Sequence, residues 1–131
     1  MTTEELLQAA NTILLIDWPT LDVPETLAHA GYTVVASEGP GPEDYNAYAV
    51  EDGAVVARHV GSPPNQAEVV YSHRPTDELP MIVELAKQVG ACAVWCETGS
   101  AEARRIVESA GLTYVDDPPI VDAVRAAGSG S

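Results

Sequence analysis

The stretch Thr12-Ile13-Leu14-Leu15-Ile16 decides the fold of this chain. Four of its five residues are large aliphatics without polar alternation, a pattern typical of a strand buried on both faces of a parallel sheet. A short helix is predicted next, with Asp22 as its N-cap, Pro24 in its first turn and Gly31 at its end. A second apolar run over residues 32–36 then completes a strand–helix–strand unit with tight connections.

The remaining segments continue this alternation after one hairpin. Residues 48–50 and 54–57 flank Glu51-Asp52-Gly53, and Asp-Gly between two apolar runs predicts a β-hairpin. The further predicted elements are a strand over 68–72, a helix over about 77–89 capped by Thr76 and ended by Gly90, a strand over 91–95, a helix over 101–110 between Ser100 and Gly111, a strand over 112–115, and a short helix opened by Pro118 and Pro119.

Strands that alternate with helices imply a parallel sheet with right-handed crossovers. We therefore predict an α/β protein, a Rossmann-like three-layer sandwich with a mostly parallel sheet and an inserted β-hairpin. The strand Thr12–Ile16 should lie at its centre, flanked by the strands over 32–36 and 68–72. Residues 1–127 should form a single domain, and residues 128–131, Gly-Ser-Gly-Ser, a flexible tail.

The charge balance excludes several classes of partner. The chain of 131 residues carries 20 acids against six bases, a net charge of −14, which is typical of a well-solvated, self-repelling surface. Nucleic acids and anionic membrane surfaces are bound by clusters of Lys and Arg, and the sequence has no such stripe. No apolar run approaches the roughly 20 residues of a membrane span, and the acidic start lacks the basic residues of a signal peptide. We expect a cytoplasmic protein that binds neither nucleic acid nor membrane.

Two cysteines, Cys92 and Cys96, lie in an apolar run that predicts a strand. Four strand residues span roughly 13 Å, whereas a disulfide needs Cα atoms within about 7 Å, so these two thiols should stay free. Free thiols agree with a reducing compartment. We expect Cys92 to be buried and slow to react, and Cys96, at the strand end, to react faster.

Several side chains with chemical potential follow strands and should converge at the carboxyl edge of the sheet. They are Asp17, His73, Cys96 and Glu97, and ligands of open α/β sheets bind at that edge. Cys96 and His73 could form a nucleophile pair, but no third orienting residue is identifiable, and we favour a packed thiol beside a hydrogen-bonded histidine. No spacing of ligands recommends zinc. The sequence therefore favours a non-enzymatic role without a metal.

Arg74 is the one base predicted at this edge. It could clamp a phosphate, or it could pair with Asp17 or Asp44. Trp18 directly follows the first strand and could stack on a base such as adenine or cover an empty pocket.

Two other features are better explained by structure than by binding. Arg104 and Arg105 should form ion pairs along a helix with Glu102 and Glu108. The segment Gly39-Pro40-Gly41-Pro42 should be a rigid connector, because its prolines lack the amides that a phosphate loop uses.

The segment Val69-Val70-Tyr71-Ser72-His73-Arg74-Pro75 is followed by a helix, by Gly90-Ala91-Cys92-Ala93-Val94-Trp95 and by Gly99. This succession resembles the CoA-binding domain family, in which a strand ends in Arg-Pro and a Gly-Ala-x-Ala-Val-Trp strand precedes a glycine. The resemblance covers residues 11–120. It implies a Rossmann-like fold that holds CoA or a related nucleotide across the carboxyl ends of the strands. The ligand-binding residues that it implies here are Asp17, Trp18, Pro19, Thr20, His73, Arg74, Pro75, Cys96, Glu97, Thr98 and Gly99.

The chain departs from that family at the turn after the first strand. The family has a glycine- and serine-bearing turn that receives the pyrophosphate, whereas this chain has Asp17-Trp18-Pro19-Thr20-Leu21-Asp22, with two acids and no glycine. A phosphate cradle needs backbone N–H groups at a helix N-terminus, and Pro19 removes one of them. A basic residue expected near the end of the family's pattern is replaced by Asp117-Pro118-Pro119.

Two functions follow from these observations. The favoured one is non-catalytic binding of CoA or a related nucleotide by a Rossmann-like module with an atypical phosphate turn. The alternative is a ligand-free protein-interaction or regulatory module that has lost nucleotide binding, with an unidentified protein as its partner.

Overall fold

The computed structural model describes residues 3–37, 45–97, 99–116 and 119–128. The elements within these ranges, in chain order, are α1 (Thr3–Ala9), β1 (Thr12–Ile16), α2 (Asp22–His29), β2 (Thr33–Ser37), β3 (Asn46–Glu51), β4 (Ala54–His59), β5 (Val69–Ser72), a 3₁₀ turn (Thr76–Glu78), α3 (Leu79–Gln88), β6 (Ala93–Cys96), α4 (Ala101–Ser109), β7 (Thr113–Val115) and α5 (Ile120–Gly128). In these ranges no helix is both long and apolar enough to cross a membrane.

The strands form one sheet in the order β4-β3-β2-β1-β5-β6-β7. β1 lies in the middle and runs parallel to both β2 and β5, with Leu14 beside Val35 on one side and Val70 on the other. Its last four residues are all buried, as its apolar run predicted. The predicted α/β fold with a mostly parallel sheet and a central first strand is confirmed.

The predicted hairpin is β3–β4, the antiparallel part of the sheet. Its turn consists of Asp52 (φ 53°) and Gly53 (φ 81°). Positive φ at both turn residues is the geometry that Asp-Gly favours, and it matches the right-handed twist of the two strands.

Helices cover both faces of the sheet and give the three layers. Ile13, Leu15 and Trp95 point from the sheet into the core that α1, α2 and α5 close. Leu14 and Ile16, on the opposite face of β1, belong to the core that α3 and α4 close. Alternate residues of β1 thus enter different cores, which explains why the last four positions of the strand are all apolar.

The helix starts were predicted less well than the strands. Asp22 is the first residue of α2 and not its cap, because Leu21 before it already has helical backbone angles. Thr76 begins the 3₁₀ turn without a capping side-chain bond, and α3 starts only at Leu79. Ser100 is confirmed as a cap, since its Oγ accepts the N–H of Ala103 at 3.1 Å.

The two ends of the chain add helix beyond the predicted elements. α1 was not predicted, and it buries Leu6 and Leu7 in the core. α5 extends through Gly128, which was predicted to begin the tail. The rest of that tail, the Gly39–Pro42 connector, Asp44, Thr98 and the Asp117-Pro118 pair lie outside the described residues.

Candidate binding site at the carboxyl edge of the sheet

The centre of the sheet is also the point where its chain connections diverge. β1 leads into α2, which packs on one face, whereas the neighbouring strand β5 leads to α3 on the other face. Connections that part in this way open a crevice at the carboxyl ends of the two strands, where ligands of such sheets bind. Asp17 follows β1 directly, and the His73-Arg74-Pro75 segment follows β5.

Asp17 has a left-handed backbone conformation, with φ of 62°. Asp tolerates this region better than most residues, but glycine is favoured there. Its N–H donates to the carbonyl of Ser37 at 2.7 Å, and its Oδ1 accepts the N–H of Trp18 at 2.9 Å. The carboxylate therefore fixes the start of the turn that leaves β1.

Arg74 bridges this turn to the segment after β5. Its Nη1 donates to Asp17 Oδ2 at 3.2 Å, and its Nη2 donates to Glu78 Oε2 at 2.7 Å. Hydrogen bonds to Glu78 and then to Asp17 raise the pKa of the guanidinium. Of the alternatives that the sequence left open, pairing with Asp17 is observed. Glu78 was missed, although its i,i+4 spacing from Arg74 is a signal for such a pair.

The backbone around Arg74 holds this position. Its N–H donates to Oγ of the buried Ser72 at 3.2 Å. Pro75 has an extended backbone, with φ of −59° and ψ of 155°, and ends the segment before the 3₁₀ turn.

Trp18 packs against the hairpin. Its ring meets that of Tyr48 on β3 edge-to-face, with centroids 6.1 Å apart and planes at 86°. Trp18 is only partly buried, and the following Pro19 and Thr20 are exposed. The contact with Tyr48 was missed, because nothing in the sequence tells which strand borders β2.

Glu97, predicted as a ligand-binding residue, is held by the protein itself. Its Oε1 accepts the hydroxyl of Tyr71 at 3.0 Å, and its Oε2 accepts the N–H of Ile120, the first residue of α5, at 2.6 Å. A carboxylate is favoured at a helix N-terminus. Burial, and then the charge of Glu97, raises the pKa of Tyr71.

The predicted burial of Cys92 is wrong, and Cys96 is the buried thiol of the two. Cys96 is buried, and burial, followed by the negative charge of Asp116, raises its pKa to about 12. Cys92 is exposed and lies just before β6, which begins at Ala93, and its Sγ lies 3.3 Å from the carbonyl oxygen of Glu68. Both thiols are free, as predicted.

His73 carries an unsatisfied polar atom. Its Nδ1 is buried and has no hydrogen-bond partner among the described residues, although a hydrogen-bonded ring was expected. Its backbone N–H donates to the carbonyl of Ile16 at 3.1 Å and so ties the segment to β1. Within the described ranges, no group of three or more His, Cys, Asp or Glu side chains could hold a metal ion.

Gly99 has a packing role that the sequence did not indicate. A Cβ at this position would collide with the hydroxyl of Tyr114 and would lie 2.9 Å from the carbonyl oxygen of Cys96. The Tyr114 ring is buried beneath the guanidinium of Arg104, whose Cζ lies 4.8 Å from the ring centroid. The predicted ion pairs of Arg104 with Glu108 and Arg105 with Glu102 are confirmed.

No protein-family model and no curated protein matches the chain. Its fold is similar to that of a solved structure described as the crystal structure of Prb, the PH1109 protein redesigned for binding. The TM-score is 0.69 at 21% identity, and the match covers 97% of this chain and 92% of the other. This likeness confirms the Rossmann-like three-layer fold.

Proposed function

We propose that this protein is a non-catalytic module that binds CoA or a related nucleotide in the crevice between β1 and β5. The observation that carries the proposal is the left-handed Asp17, held by Arg74 at the point where the chain connections diverge. Backbone conformations of this kind cost free energy and cluster at ligand sites.

The side chains around that point suit a nucleotide in two ways. The Arg74 side chain is 30% exposed, so its guanidinium can turn from Asp17 toward a phosphate and donate two parallel hydrogen bonds. Trp18 directly follows Asp17 and is partly exposed, so it offers an aromatic face on which a base can stack. The buried Nδ1 of His73, which has no hydrogen-bond partner in the described part of the chain, is a further group that a ligand could satisfy.

The state of the thiol supports a non-catalytic role. Nucleophilic cysteines react as thiolates, and the Cys96 pKa of about 12 keeps this thiol protonated near neutral pH. Two free cysteines also suit a reducing compartment, and we propose the cytoplasm as the location.

One observation favours the alternative, a ligand-free interaction or regulatory module. The positive groups that a pyrophosphate would use are already paired with the chain's own carboxylates. Arg74 contacts Asp17 and Glu78, and the N-terminus of α5 contacts Glu97. A nucleotide must displace at least the Asp17 contact in order to bind.

A thermal-shift experiment separates the two functions. A ligand that binds only the folded state at a hundredfold excess over its Kd adds about 2.7 kcal/mol to the free energy of unfolding, which is several degrees in midpoint. We expect CoA at millimolar concentration to produce such a shift, with acetyl-CoA, ADP and NAD as comparisons. Absence of a shift with all four would support the interaction module instead.

The Arg74→Ala variant tests whether the ligand binds in the crevice beside Arg74. We expect it to weaken CoA binding about tenfold or more, because it removes a charged donor to phosphate. Arg104→Ala is the matched control, since its ion pair with Glu108 lies on the outer helix α4. Equal CoA affinity in the wild type and Arg74→Ala would show that the ligand binds elsewhere.

A further inference from the structure

The strand β4 forms one edge of the sheet, three strands away from the β1–β5 crevice. It pairs with β3 through six consecutive residue pairs without a bulge, and its sequence, AVVARH, contains no Pro, Gly or Lys. The strand at the opposite edge, β7, has only three residues. Proteins usually protect a long edge with bulges, prolines or lysines, because its free backbone groups pair readily with another strand. β4 has none of these protections.

The turn determines which backbone groups of β4 face outward. In a hairpin with a two-residue turn, the flanking residues, here Glu51 and Ala54, exchange both of their hydrogen bonds. Hydrogen-bonded and non-bonded pairs alternate along the ladder. The N–H and C=O groups of Val55, Ala57 and His59 therefore point away from β3, toward the open edge.

The two ends of this edge carry residues of opposite charge. The acidic pair Glu51-Asp52 lies at the turn, whereas Arg58 and His59 lie at the other end of β4. Glu51, Ala54 and Arg58 share one face of the hairpin, since directly paired residues and residues two apart point the same way. Arg58 and Glu51 already form an ion pair within the chain, and both side chains are largely exposed, at 68% and 45%.

We propose that β4 pairs antiparallel with β4 of a second copy of the chain, about a two-fold axis at Val56, so that the two sheets become continuous. In this register Val55 of one copy exchanges backbone hydrogen bonds with Ala57 of the other. Arg58 of one copy lies opposite the small Ala54 of the other and reaches across it to Glu51. Arg58 of each copy thereby meets Glu51 of the other, once on each side of the axis.

The net charge of the chain shapes this association. Two copies at −14 each repel at long range, whereas the contact between Arg58 and Glu51 is local. Because salt screens the long-range term over about 8 Å at physiological ionic strength, association should strengthen from low to physiological salt. A single pair of edge strands is a small interface, and the dimer is accordingly a weak one.

Sedimentation velocity at physiological salt tests the proposal. We expect a concentration-dependent dimer of the wild type as its concentration approaches about 1 mM. The variant Ala57→Pro removes an outward N–H and leaves the ladder to β3 intact, so it should fold and remain a monomer. A wild type that stays monomeric over the whole range would overturn the proposal.

Charge reversal tests the register even if the proline variant fails to fold. Arg58→Glu and Glu51→Arg each place like charges at both meeting points, and each should weaken self-association about tenfold. Mixed together, the two variants place opposite charges at both points and should form a heterodimer. Arg104→Glu and Glu108→Arg on α4 make the same changes in net charge and should self-associate as the wild type does. The proposal fails if the mixture gives no heterodimer, or if the α4 variants lose dimer to the same extent.

Discussion

At the scale of single residues, the two cysteines differ in surroundings rather than in chemistry. Cys92 lies just before β6 and is exposed, whereas Cys96 ends the strand inside the core closed by α3 and α4. We predict that a thiol reagent modifies Cys92 in the folded protein and leaves Cys96 unmodified until unfolding. Titration of Cys92→Ser should thus find no fast thiol under native conditions and one in denaturant. Modification of Cys96 first, located by mass spectrometry, would contradict the assignment.

A second residue, Glu68, joins the starts of two neighbouring strands. Its Oε1 accepts the N–H groups of Asn11 at 2.7 Å and Thr12 at 2.8 Å. Burial alone would raise the pKa of this carboxyl, but the bonds from Thr12 and Asn11 outweigh it and lower the pKa. We predict that Glu68→Ala loses about 1 kcal/mol of unfolding free energy, a value reduced for the partial exposure of the group.

The pH dependence of that loss distinguishes the carboxylate from mere packing. A carboxyl with a lowered folded-state pKa stabilises the protein above its unfolded pKa, near 4.5, and this contribution disappears as the pH falls through the folded value. The difference between wild type and Glu68→Ala, measured by denaturant titration, should shrink on acidification below pH 4.5. Glu102→Ala on the exposed face of α4 is the control. A difference independent of pH would assign Glu68 a packing role.

At the scale of elements, Gly99 couples the end of β6 to the start of α4 and to β7. A Cβ there would collide with the hydroxyl of Tyr114. We therefore predict that Gly99→Ala lowers the free energy of unfolding by about 1–3 kcal/mol. Removing that hydroxyl in Gly99→Ala/Tyr114→Phe should recover part of the loss, and a double-mutant cycle measures the coupling. If the effects of the two substitutions on the free energy of unfolding are additive, a collision with the Tyr114 hydroxyl is not the reason that alanine destabilises position 99.

The same elements show which features the sequence could predict. Strands followed from local runs such as Thr12–Ile16, and the hairpin followed from Asp52-Gly53, because these signals are contained within a few residues. Asp17 and Arg74, which were expected to converge at the carboxyl edge of the sheet, do meet there, whereas ligand binding at this edge stays a prediction. The contacts of Tyr48 with Trp18 and of Tyr71 with Glu97 join distant segments, and only the strand order brings them together. The predicted burial of Cys92 was wrong because burial depends on which distant elements pack on a residue: Cys96 lies in the core closed by α3 and α4, whereas Cys92 is exposed.

At the scale of the whole molecule, burial of ionisable hydroxyl and thiol groups makes the fold sensitive to alkali. Burial is the largest cause of the raised pKa of Cys96 and of Tyr114, each about 12, and it also raises the pKa values of Tyr32, Tyr45 and Tyr71. Each of these groups is held neutral in the folded state and ionises more readily in the unfolded chain. The contribution of these groups to the free energy of unfolding should therefore be constant below their unfolded pKa values and be lost as the pH rises above them.

Cys96 supplies a measurable part of this alkaline loss. Its unfolded pKa is about 9 and its folded pKa about 12, so its contribution is complete below pH 9 and is lost progressively up to pH 12. At pH 10.5 the ionisation of this thiol in the unfolded chain should by itself lower the free energy of unfolding by about 2 kcal/mol, since one pKa unit corresponds to about 1.4 kcal/mol. Guanidinium unfolding of wild type and Cys96→Ser at pH 8 and pH 10.5 measures this, because serine does not ionise in the range. The serine variant is expected to be less stable at pH 8 but to lose about 2 kcal/mol less than the wild type between the two pH values. Equal losses in both proteins would mean that Cys96 ionises in the folded state as easily as in the unfolded chain, and that the core around β6 admits water.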